Sequence, residues 1–345
     1  VVALERREWG NFYGHLSGIN ENADLIAFSG DVSAIESSRW NDFNERLERA
    51  LDIREDIYVI ENQEIGQINY AMERLRLRER RLELDQELTP EALAEIDSER
   101  AELDEEYDLL QVQLIELYET VNRDSAIFIA ANGEETEVSF ADIVRAYKPN
   151  QLSLLGKIGT YFLKLGEFLT AEPREANTEG GIFPAIFGTV MMVMLMSVFV
   201  TPFGVVAAVY LREYARQGIV TRAIRIAVNN LAGVPSIVYG VFGLGFFIYI
   251  IGSEVDQIFY PEALPAPTFG TPGLLWASLT LALLTVPVVI VATEEGLARI
   301  PRSVREGSLA LGATKFETLW RVVLPMASPA MMTGLILAVA RAAGE

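Results

Sequence analysis

The distribution of apolar residues divides the chain near residue 180. Beyond that point, four apolar segments carry no charged residue, and they cover residues 182–211, 226–253, 263–293 and 322–340. A helix that crosses a membrane needs about 20 mostly apolar residues. We therefore predict four membrane helices, the third of which begins near Gly273 after a stretch rich in Pro and Gly.

Before residue 180 the apolar residues follow a different pattern. Residues 38–87 and 90–123 carry them at spacings of three and four, which predicts two long helices that pair as an antiparallel coiled-coil hairpin. Between the two helices, Thr89 can cap the second helix and Pro90 can take its first position. The charged runs are interpreted as the solvated faces of this hairpin.

Two shorter patterns follow the hairpin. Residues 126–140 alternate around Asn132-Gly133, which predicts a small β-hairpin. Residues 154–169 predict an amphipathic helix that would lie on the outer membrane surface. The predicted fold class is an all-α membrane protein whose mainly helical domain outside the membrane contains a small β-hairpin, with a domain boundary at residues 180/181.

Charge separates the same two parts. Residues 1–180 contain 18 Lys and Arg against 39 Asp and Glu, whereas residues 181–345 contain 10 against 9. A strongly acidic first part argues against nucleic acid as a partner, since phosphate backbones require basic side chains. The chain has no cysteine and one histidine, His15, and it lacks a Gly-x-x-x-x-Gly-Lys-Ser/Thr loop. We therefore expect no metal site, no catalytic residue and no ATP hydrolysis on this chain.

The loops between the apolar segments predict orientation. The segment after the first span and the segment after the third are basic, whereas the segment between the second and third contains acidic residues only. The basic residues are Arg212, Arg216, Arg222, Arg225, Arg299, Arg302, Arg305, Lys315 and Arg321. By the positive-inside rule the two basic loops are cytoplasmic, which puts residues 1–180 on the periplasmic side. Glu294 and Glu295, just before the second basic loop, are interpreted as a solvated helix end.

The basic loop at residues 296–323 carries a spaced motif. The sequence from Glu306 to Pro325 resembles the coupling signature of ABC importer permeases, which reads Glu-Ala-Ala, three residues, Gly, nine residues, Ile or Val, one residue, Leu-Pro. Gly307 and Ser308 replace the two alanines, and both are small. The positions on the signature are Glu306, Gly307, Ser308, Gly312, Val322, Leu324 and Pro325. The resemblance implies a type I transmembrane domain at residues 181–345 that docks on a separate ATPase dimer through this EAA motif.

Local rules predict the shape of this loop. Ser303 can cap a short helix, with Glu306 completing a capping box, and Gly312 can end that helix. A second helix would cover residues 314–323 before Pro325 opens the last span. Phe316 and Trp320 lie four residues apart and so share one helical face, which suits a knob that docks into a groove of the ATPase.

Four further segments narrow the resemblance. Residues 179–188, 201–214, 230–245 and 340–345 look like the permease subunits of the phosphate-specific ABC importer, and more like the PstA type in an enlarged form with a long periplasmic insertion. This resemblance implies import of inorganic phosphate by alternating access in a bacterial inner membrane. It also implies a PstC-like sister permease and a periplasmic phosphate-binding protein as partners. ATP and Mg²⁺ would be bound by the ATPase, with no cofactor on this chain.

Arg341 and Glu345 are the candidate residues of the ion path. Arg341 follows Pro325 by 16 residues, or about 24 Å of helix, within a hydrocarbon core of about 30 Å. A charge at that depth is costly and is usually functional, and Glu345 would lie on the same helical face. The resemblance implies that the pair lines the anion path. The alternative is that Arg341 extends to the outer interface and Glu345 is in water.

Two other functions remain open from the sequence. The chain could be an importer permease for another oxyanion, such as sulfate, tungstate or molybdate, because Arg341 does not distinguish these anions. It could instead be a membrane sensor whose outer coiled coil receives a signal. The sequence begins at Val1 and stops within an apolar run, so we expect further membrane helices at both ends.

Overall fold

The computed structural model describes residues 1–22, 24–26, 32–174 and 179–344. The chain divides into two compact units, Val1–Pro184 and Ala185–Glu345, which we call the N-terminal unit and the membrane unit. Each unit has hydrophobic clusters of its own.

An antiparallel sheet forms the base of the N-terminal unit. Its order is β5-β4-β2-β1-β6, with the short β3 paired to β2. The strands are β1 (Val2–Arg6), β2 (Asn11–Glu21), β3 (Asp24–Leu25), β4 (Asp124–Ala130), β5 (Glu135–Ser139) and β6 (Ile143–Tyr147). The predicted hairpin is β4 and β5, joined through Gly133 at φ +85°. The other strands of the sheet were not predicted. Two of their pairings, β1 with β6 and β2 with β4, join residues more than 100 positions apart in sequence.

Helix α1 (Val32–Val59) packs on this sheet. Phe43 is fully buried, and its ring lies edge-on to Phe128 of β4 at a centroid distance of 5.9 Å. Trp40 stacks on the other side of Phe43 at 5.3 Å. This aromatic cluster is the centre of the core, since aromatic pairs add favourable edge contacts to a large buried area.

The predicted helical hairpin is present. Helix α1 continues through a π-helical turn, Ile60–Glu64, into α2 (Ile65–Leu84), and α3 (Pro90–Val121) returns beside it. Thr89 accepts a hydrogen bond from the backbone N–H of Ala92 at 3.2 Å, so the predicted cap is confirmed.

The two helices of the hairpin are held by a thin apolar seam and by surface ion pairs. Ile68 and Leu75 of α2 and Ile96 of α3 are buried. Arg100 and Glu79 form an ion pair of 2.7 Å across the seam. Exposed pairs of this kind contribute at most about 1 kcal/mol each, so the buried apolar residues supply most of the stability of the hairpin.

The predicted amphipathic helix is α4 (Leu154–Thr170), capped by Ser153. It is followed by two short paired strands, β7 (Pro173–Arg174) and β8 (Glu179–Gly180). The chain then enters α5 (Phe183–Val209), which ends in a π-helical turn, Tyr210–Tyr214.

Among the residues that the structure describes, four helices are long and apolar enough to cross a membrane. They are Phe183–Tyr214, Ser236–Phe259, Leu274–Arg299 and Lys315–Ala342. The first and third agree with the predictions, and the third is α9 (Leu274–Arg299), preceded by Gly273 as expected.

The predicted second span was wrong at its beginning. Residues 226–231 belong to a separate helix, α6 (Ile219–Leu231), and the chain breaks before α7 (Ser236–Gly243). The physical reason is Pro235, which has no N–H for the helical ladder and disfavours helical geometry in Val234. A π-helical stretch, Leu244–Gly252, then leads into α8 (Ser253–Phe259).

Helix α9 lies at the centre of the membrane unit. In the most apolar 18-residue segment of α9, 44% of the residues are buried, whereas the corresponding share is 22% in each of the other three spans. Small residues let the last helix, α12 (Leu324–Ala342), approach it closely. A Cβ atom added to Gly296 would lie 2.5 Å from the Cβ of Ala330, and one added to Gly334 would lie 2.6 Å from that of Ala292. This is the close backbone approach that small residues permit in membranes.

A buried carboxylate organises the connection before α9. Asp256 of α8 is fully buried and accepts hydrogen bonds from the backbone N–H groups of Phe269 at 2.8 Å and Gly270 at 2.6 Å. The indole N–H of Trp276 donates to the carbonyl of Phe269 at 2.7 Å. Sequence reasoning treated Asp256 only as part of an acidic loop, because its partners are backbone groups that leave no residue signature.

Candidate coupling elbow and membrane arginine

Residues 302–323 form a helical bend that we call the elbow. It consists of α10 (Arg302–Ala310), a turn, α11 (Lys315–Thr318) and a π-helical turn, Leu319–Val323, that runs directly into α12. Gly312 in the turn has φ +93°, a left-handed conformation that glycine adopts without a Cβ penalty. The prediction that Gly312 ends the first helix is confirmed.

Two predicted details of the elbow were wrong. The N-cap of α10 is Pro301, without a side-chain cap, so Ser303 and Glu306 form no capping box. The capping box lies at the second helix, where Thr314 accepts from the N–H of Glu317 at 3.2 Å and its own N–H donates to that carboxylate at 2.9 Å. A proline before the first turn already sets extended geometry at the helix start, which displaces Ser303 into the helix.

The second helix of the elbow and the last span are also continuous, although a new helix was predicted to open at Pro325. Pro325 lies in the first turn of α12. A proline there lacks the N–H that would bond the carbonyl four residues before it. The preceding π-helical turn bonds over a longer interval, so the helix passes through this position.

The elbow is held against the end of α5 by one arginine. Arg305 forms an ion pair of 2.9 Å with Glu213 and donates to the carbonyls of Ile300 at 2.7 Å and Leu297 at 2.8 Å. Across the bend, the hydroxyls of Ser308 and Thr318 are 2.9 Å apart. These contacts fix the angle of the elbow.

The outer side of the elbow carries two exposed aromatic rings. Phe316 and Trp320 are each 64% exposed, and their rings stack at 6.3 Å with an angle of 8°. The spacing of four residues predicted this shared face. Such an exposed apolar pair is typical of an interaction site rather than of an isolated surface.

The remaining motif residues differ in their exposure. Glu306 and Gly307 are exposed, and within the ranges that the structure describes the Glu306 side chain makes no ion pair or hydrogen bond. Leu324 is half-buried and Pro325 is exposed. The acidic position of the motif and the first of its small positions are therefore accessible, as the aromatic pair is.

A second ion pair joins the two basic loops. Arg225 of α6 donates to Glu294 of α9 at 2.6 Å and to Gln217 at 2.9 Å. Only 17% of the Glu294 side chain is exposed, so its interpretation as a solvated helix end was wrong, whereas Glu295 is exposed. Sequence reasoning missed the pairs at Glu213 and Glu294, since each joins residues more than 65 positions apart.

The guanidinium of Arg341 lies beside the C-terminal end of α6. Its Nη1 donates to the carbonyl oxygen of Ala232 at 3.3 Å, and the hydroxyl of Tyr239 donates to the carbonyl of the preceding Leu231 at 2.8 Å. The last carbonyls of a helix have no partners within the helix and carry a partial negative charge. The half-buried guanidinium of Arg341 therefore lies at the negative end of α6. Glu345, its predicted partner, lies outside the described residues.

Among the described residues, no group of three or more His, Asp or Glu side chains is arranged to hold a metal ion.

The structure places the two predicted sites, the elbow and Arg341, in different surroundings. The elbow lies at the end of the bundle where both basic loops meet, and Arg341 lies at the interruption between α6 and α7.

Comparison with known proteins gives the family context. Residues 200–345 match the family model of the binding-protein-dependent transport system inner membrane component. A Mycobacterium tuberculosis phosphate transport system permease protein, PstA 1, is 37% identical over 166 residues, which cover 48% of this chain and 49% of that protein. A Yersinia pestis phosphate transport system permease protein PstA is 33% identical over 183 residues, which cover 53% of this chain and 56% of that protein.

A Bacillus subtilis protein, the probable ABC transporter permease YqgH, is 31% identical over 183 residues, which cover 52% of this chain and 55% of that protein. The chain spans about half the length of the curated relatives it matches. These relatives confirm the resemblance to importer permeases that was drawn from the coupling motif and the apolar segments. Over residues 200–345, this chain is therefore similar to binding-protein-dependent transport system inner membrane components.

Proposed function

We propose that this chain is the transmembrane permease subunit of an ATP-driven importer of inorganic phosphate. The observation that carries the proposal is the elbow, with its exposed stacked aromatics, at the end of a membrane unit that matches the importer family over residues 200–345. Relatives named for phosphate transport support phosphate as the transported ion. In this role the chain moves an ion and performs no covalent chemistry.

The elbow is the docking element for a separate ATPase dimer. Phe316 and Trp320 would fill an apolar groove on the ATPase, and Glu306 would face its basic residues. The attachment of Arg305 to Glu213 and to two backbone carbonyls supports this role. A rigid joint transmits a displacement of the docked ATPase to α5 and α12, whereas a flexible loop would absorb it.

Arg341 is the candidate contact for the anion. A guanidinium binds an oxyanion through parallel N–H donors, and an arginine within an apolar helix usually marks a path. Its contact with Ala232 links the last span to the break before α7, so an anion that competes for this arginine would change how the two helices are joined. Glu345 completes the proposed pair.

The remaining assembly follows from the same proposal. A sister permease of the PstC type would cover the spans that are only 22% buried, and a periplasmic binding protein would deliver phosphate. Residues 1–180 would lie on the periplasmic side, in agreement with the basic loops at the opposite ends of the spans.

Labelled phosphate uptake tests the proposal in cells that lack their own permease. We expect the natural sequence to restore uptake, and Arg341→Gln and Glu306→Lys each to reduce it at least tenfold while the protein remains in the membrane. Arg222→Gln and Glu295→Lys are matched controls, since both residues are exposed and lie outside the proposed sites. Equal uptake by all four variants would contradict the assigned residues.

The same cells separate the alternatives. Uptake of sulfate, tungstate or molybdate in place of phosphate would retain the importer and replace the substrate. No uptake of any oxyanion by a correctly inserted chain would favour the sensor. Docking is tested separately by co-purification of the ATPase, which Trp320→Ala should abolish and Phe203→Ala, an equally exposed aromatic of α5, should leave unchanged.

A further inference from the structure

Helix α4 is packed with its polar side inward. The half-buried positions of this helix recur at intervals of three or four residues, and they are Gly156, Thr160, Lys164 and Glu167. Lys164 pairs with Glu5 of β1 and lies 3.1 Å from Glu167, which in turn pairs with Arg145 of β6 at 3.1 Å. Glu5 is only 6% exposed, so these ion pairs fix the helix firmly to the sheet.

The opposite side of α4 is apolar and uncovered. Leu155 is 81% exposed and Phe162 is 64% exposed. The full set of exposed apolar residues is Leu154, Leu155, Ile158, Tyr161, Phe162, Leu163, Leu165, Phe168 and Leu169. All of these except Leu163 lie within an arc from Phe168 to Leu155 that covers roughly 140° of the helix at about 100° per residue. A helix on a water-exposed domain has the reverse arrangement, with its apolar stripe toward the core.

The contacts at the end of α4 indicate which surface could cover this apolar face. The backbone N–H of Ile182 donates to the carbonyl of Phe168 at 2.8 Å, and that of Phe183 donates to the carbonyl of Ala171 at 3.4 Å. Phe183 is the first residue of α5, which begins the first span. The C-terminal end of α4 is thus hydrogen-bonded to the residues at which the first span begins.

We propose that α4 is an interfacial helix that lies in the plane of the bilayer surface and buries its apolar face among the lipid chains. An amphipathic helix of this kind inserts its apolar side by about 5–10 Å. Lys157, at the edge of the apolar face, can extend toward the headgroups. The ion pairs of Lys164 and Glu167 then attach the sheet to the membrane surface, whichever ion the membrane unit carries.

Spin labelling tests this directly, because the chain has no cysteine. Leu155→Cys and Phe162→Cys are labelled in the full chain reconstituted in phosphatidylcholine vesicles. Leu109→Cys on α3 is the matched control, since Leu109 is apolar and 66% exposed. Accessibility is then measured to oxygen, which concentrates in lipid, and to a water-soluble nickel chelate.

The expected result is high oxygen and low nickel accessibility at the two α4 sites, with the reverse at Leu109→Cys. High nickel accessibility on α4 would mean that the face is in water, and this would overturn the proposal. Low accessibility to both reagents would mean that a protein surface, from a second copy or another subunit, covers it, which would also overturn the proposal.

Discussion

At the scale of single residues, the N-terminal unit depends on one buried carboxylate. The Asp124 side chain is 5% exposed and pairs with Arg46 at 2.7 Å, with Arg123 at 2.8 Å and with Arg49. Burial alone would raise the pKa of Asp124, but the hydrogen bonds and positive charges of Arg123 and Arg46 outweigh it, so the pKa lies below its ordinary value. The charged form therefore stabilises the fold.

Removing this carboxylate should destabilise the N-terminal unit strongly. We expect Asp124→Ala to lower its free energy of unfolding by about 2 kcal/mol, because it leaves N–H donors of the largely buried Arg46 unsatisfied, although Glu21 and Asp42 still pair with Arg46. The measurement is urea unfolding followed by Trp40 fluorescence, in a chain whose other tryptophans are replaced by phenylalanine. Glu73→Ala removes an exposed ion pair and should change the midpoint little. A midpoint shift as small as that control would refute the role of Asp124.

The same probe should reveal acid sensitivity. The pKa of Glu167, which burial would raise and its bonds to Lys164 and Arg145 lower, is also below its ordinary value, as is that of Asp124. A carboxylate with a depressed folded pKa adds stability above its unfolded pKa, about 4, and loses that contribution as the pH falls toward the folded value. We expect the urea midpoint to be constant from pH 7 to about 5 and to fall below about pH 4. A midpoint that rises on acidification would contradict this sign.

At the scale of elements, the ends of helices and the turns that depend on neighbouring residues could be predicted from the sequence, whereas one helix break was missed. The stop at Gly312, the cap at Thr89 and the turn at Gly133 were predictable because each depends on one residue and its immediate neighbours. The break before α7 could have been inferred from Pro235, but the absence of charge between residues 226 and 253 concealed it. A hydropathy pattern indicates how favourable it is to transfer the side chains into lipid. It gives no sign that Pro235 lacks the backbone N–H that a continuous helix requires.

The left-handed turn of the elbow gives a prediction at this scale. Space is open around Gly312, but its φ of +93° is unfavourable for residues with a Cβ. We expect Gly312→Val to cost about 1–2 kcal/mol in local stability, to raise amide exchange in residues 302–323 and to reduce uptake. Gly312→Asn should be milder, since asparagine tolerates this region. Equal behaviour of the two variants would show that the turn does not require this conformation.

At the scale of the whole molecule, the two units differ in how much of their apolar surface they bury by themselves. The N-terminal unit closes around its own aromatic core. In the membrane unit, α9 is half-buried, but the other spans leave most of their apolar surface uncovered by this chain. Association with a sister subunit would cover part of that surface.

This difference predicts a partner-dependent stability. We expect the melting temperature of the membrane unit, followed by Trp276 fluorescence in detergent, to rise by several degrees when the sister permease and ATPase are co-expressed, because a bound partner stabilises the folded state by mass action. A separate variant that keeps Trp40 as its single tryptophan reports the N-terminal unit, and its transition should change less. An unchanged Trp276 transition in the purified complex would contradict the prediction.

The sequence by itself determined the features that depend on neighbouring residues or on composition. These are the approximate positions of the four apolar spans, the helical hairpin and the β4–β5 turn. The orientation from the basic loops and the coupling role of the spaced motif stay predictions. Only the tertiary structure decided which charges meet. It paired Arg305 with Glu213, Arg225 with Glu294 and Lys164 with Glu5. It also placed Arg341 on the carbonyl of Ala232 and turned the apolar face of α4 outward. These contacts join residues that are far apart in the chain. Their energy depends on the distance between the two groups in space, and the residues around each group in the sequence do not specify that distance.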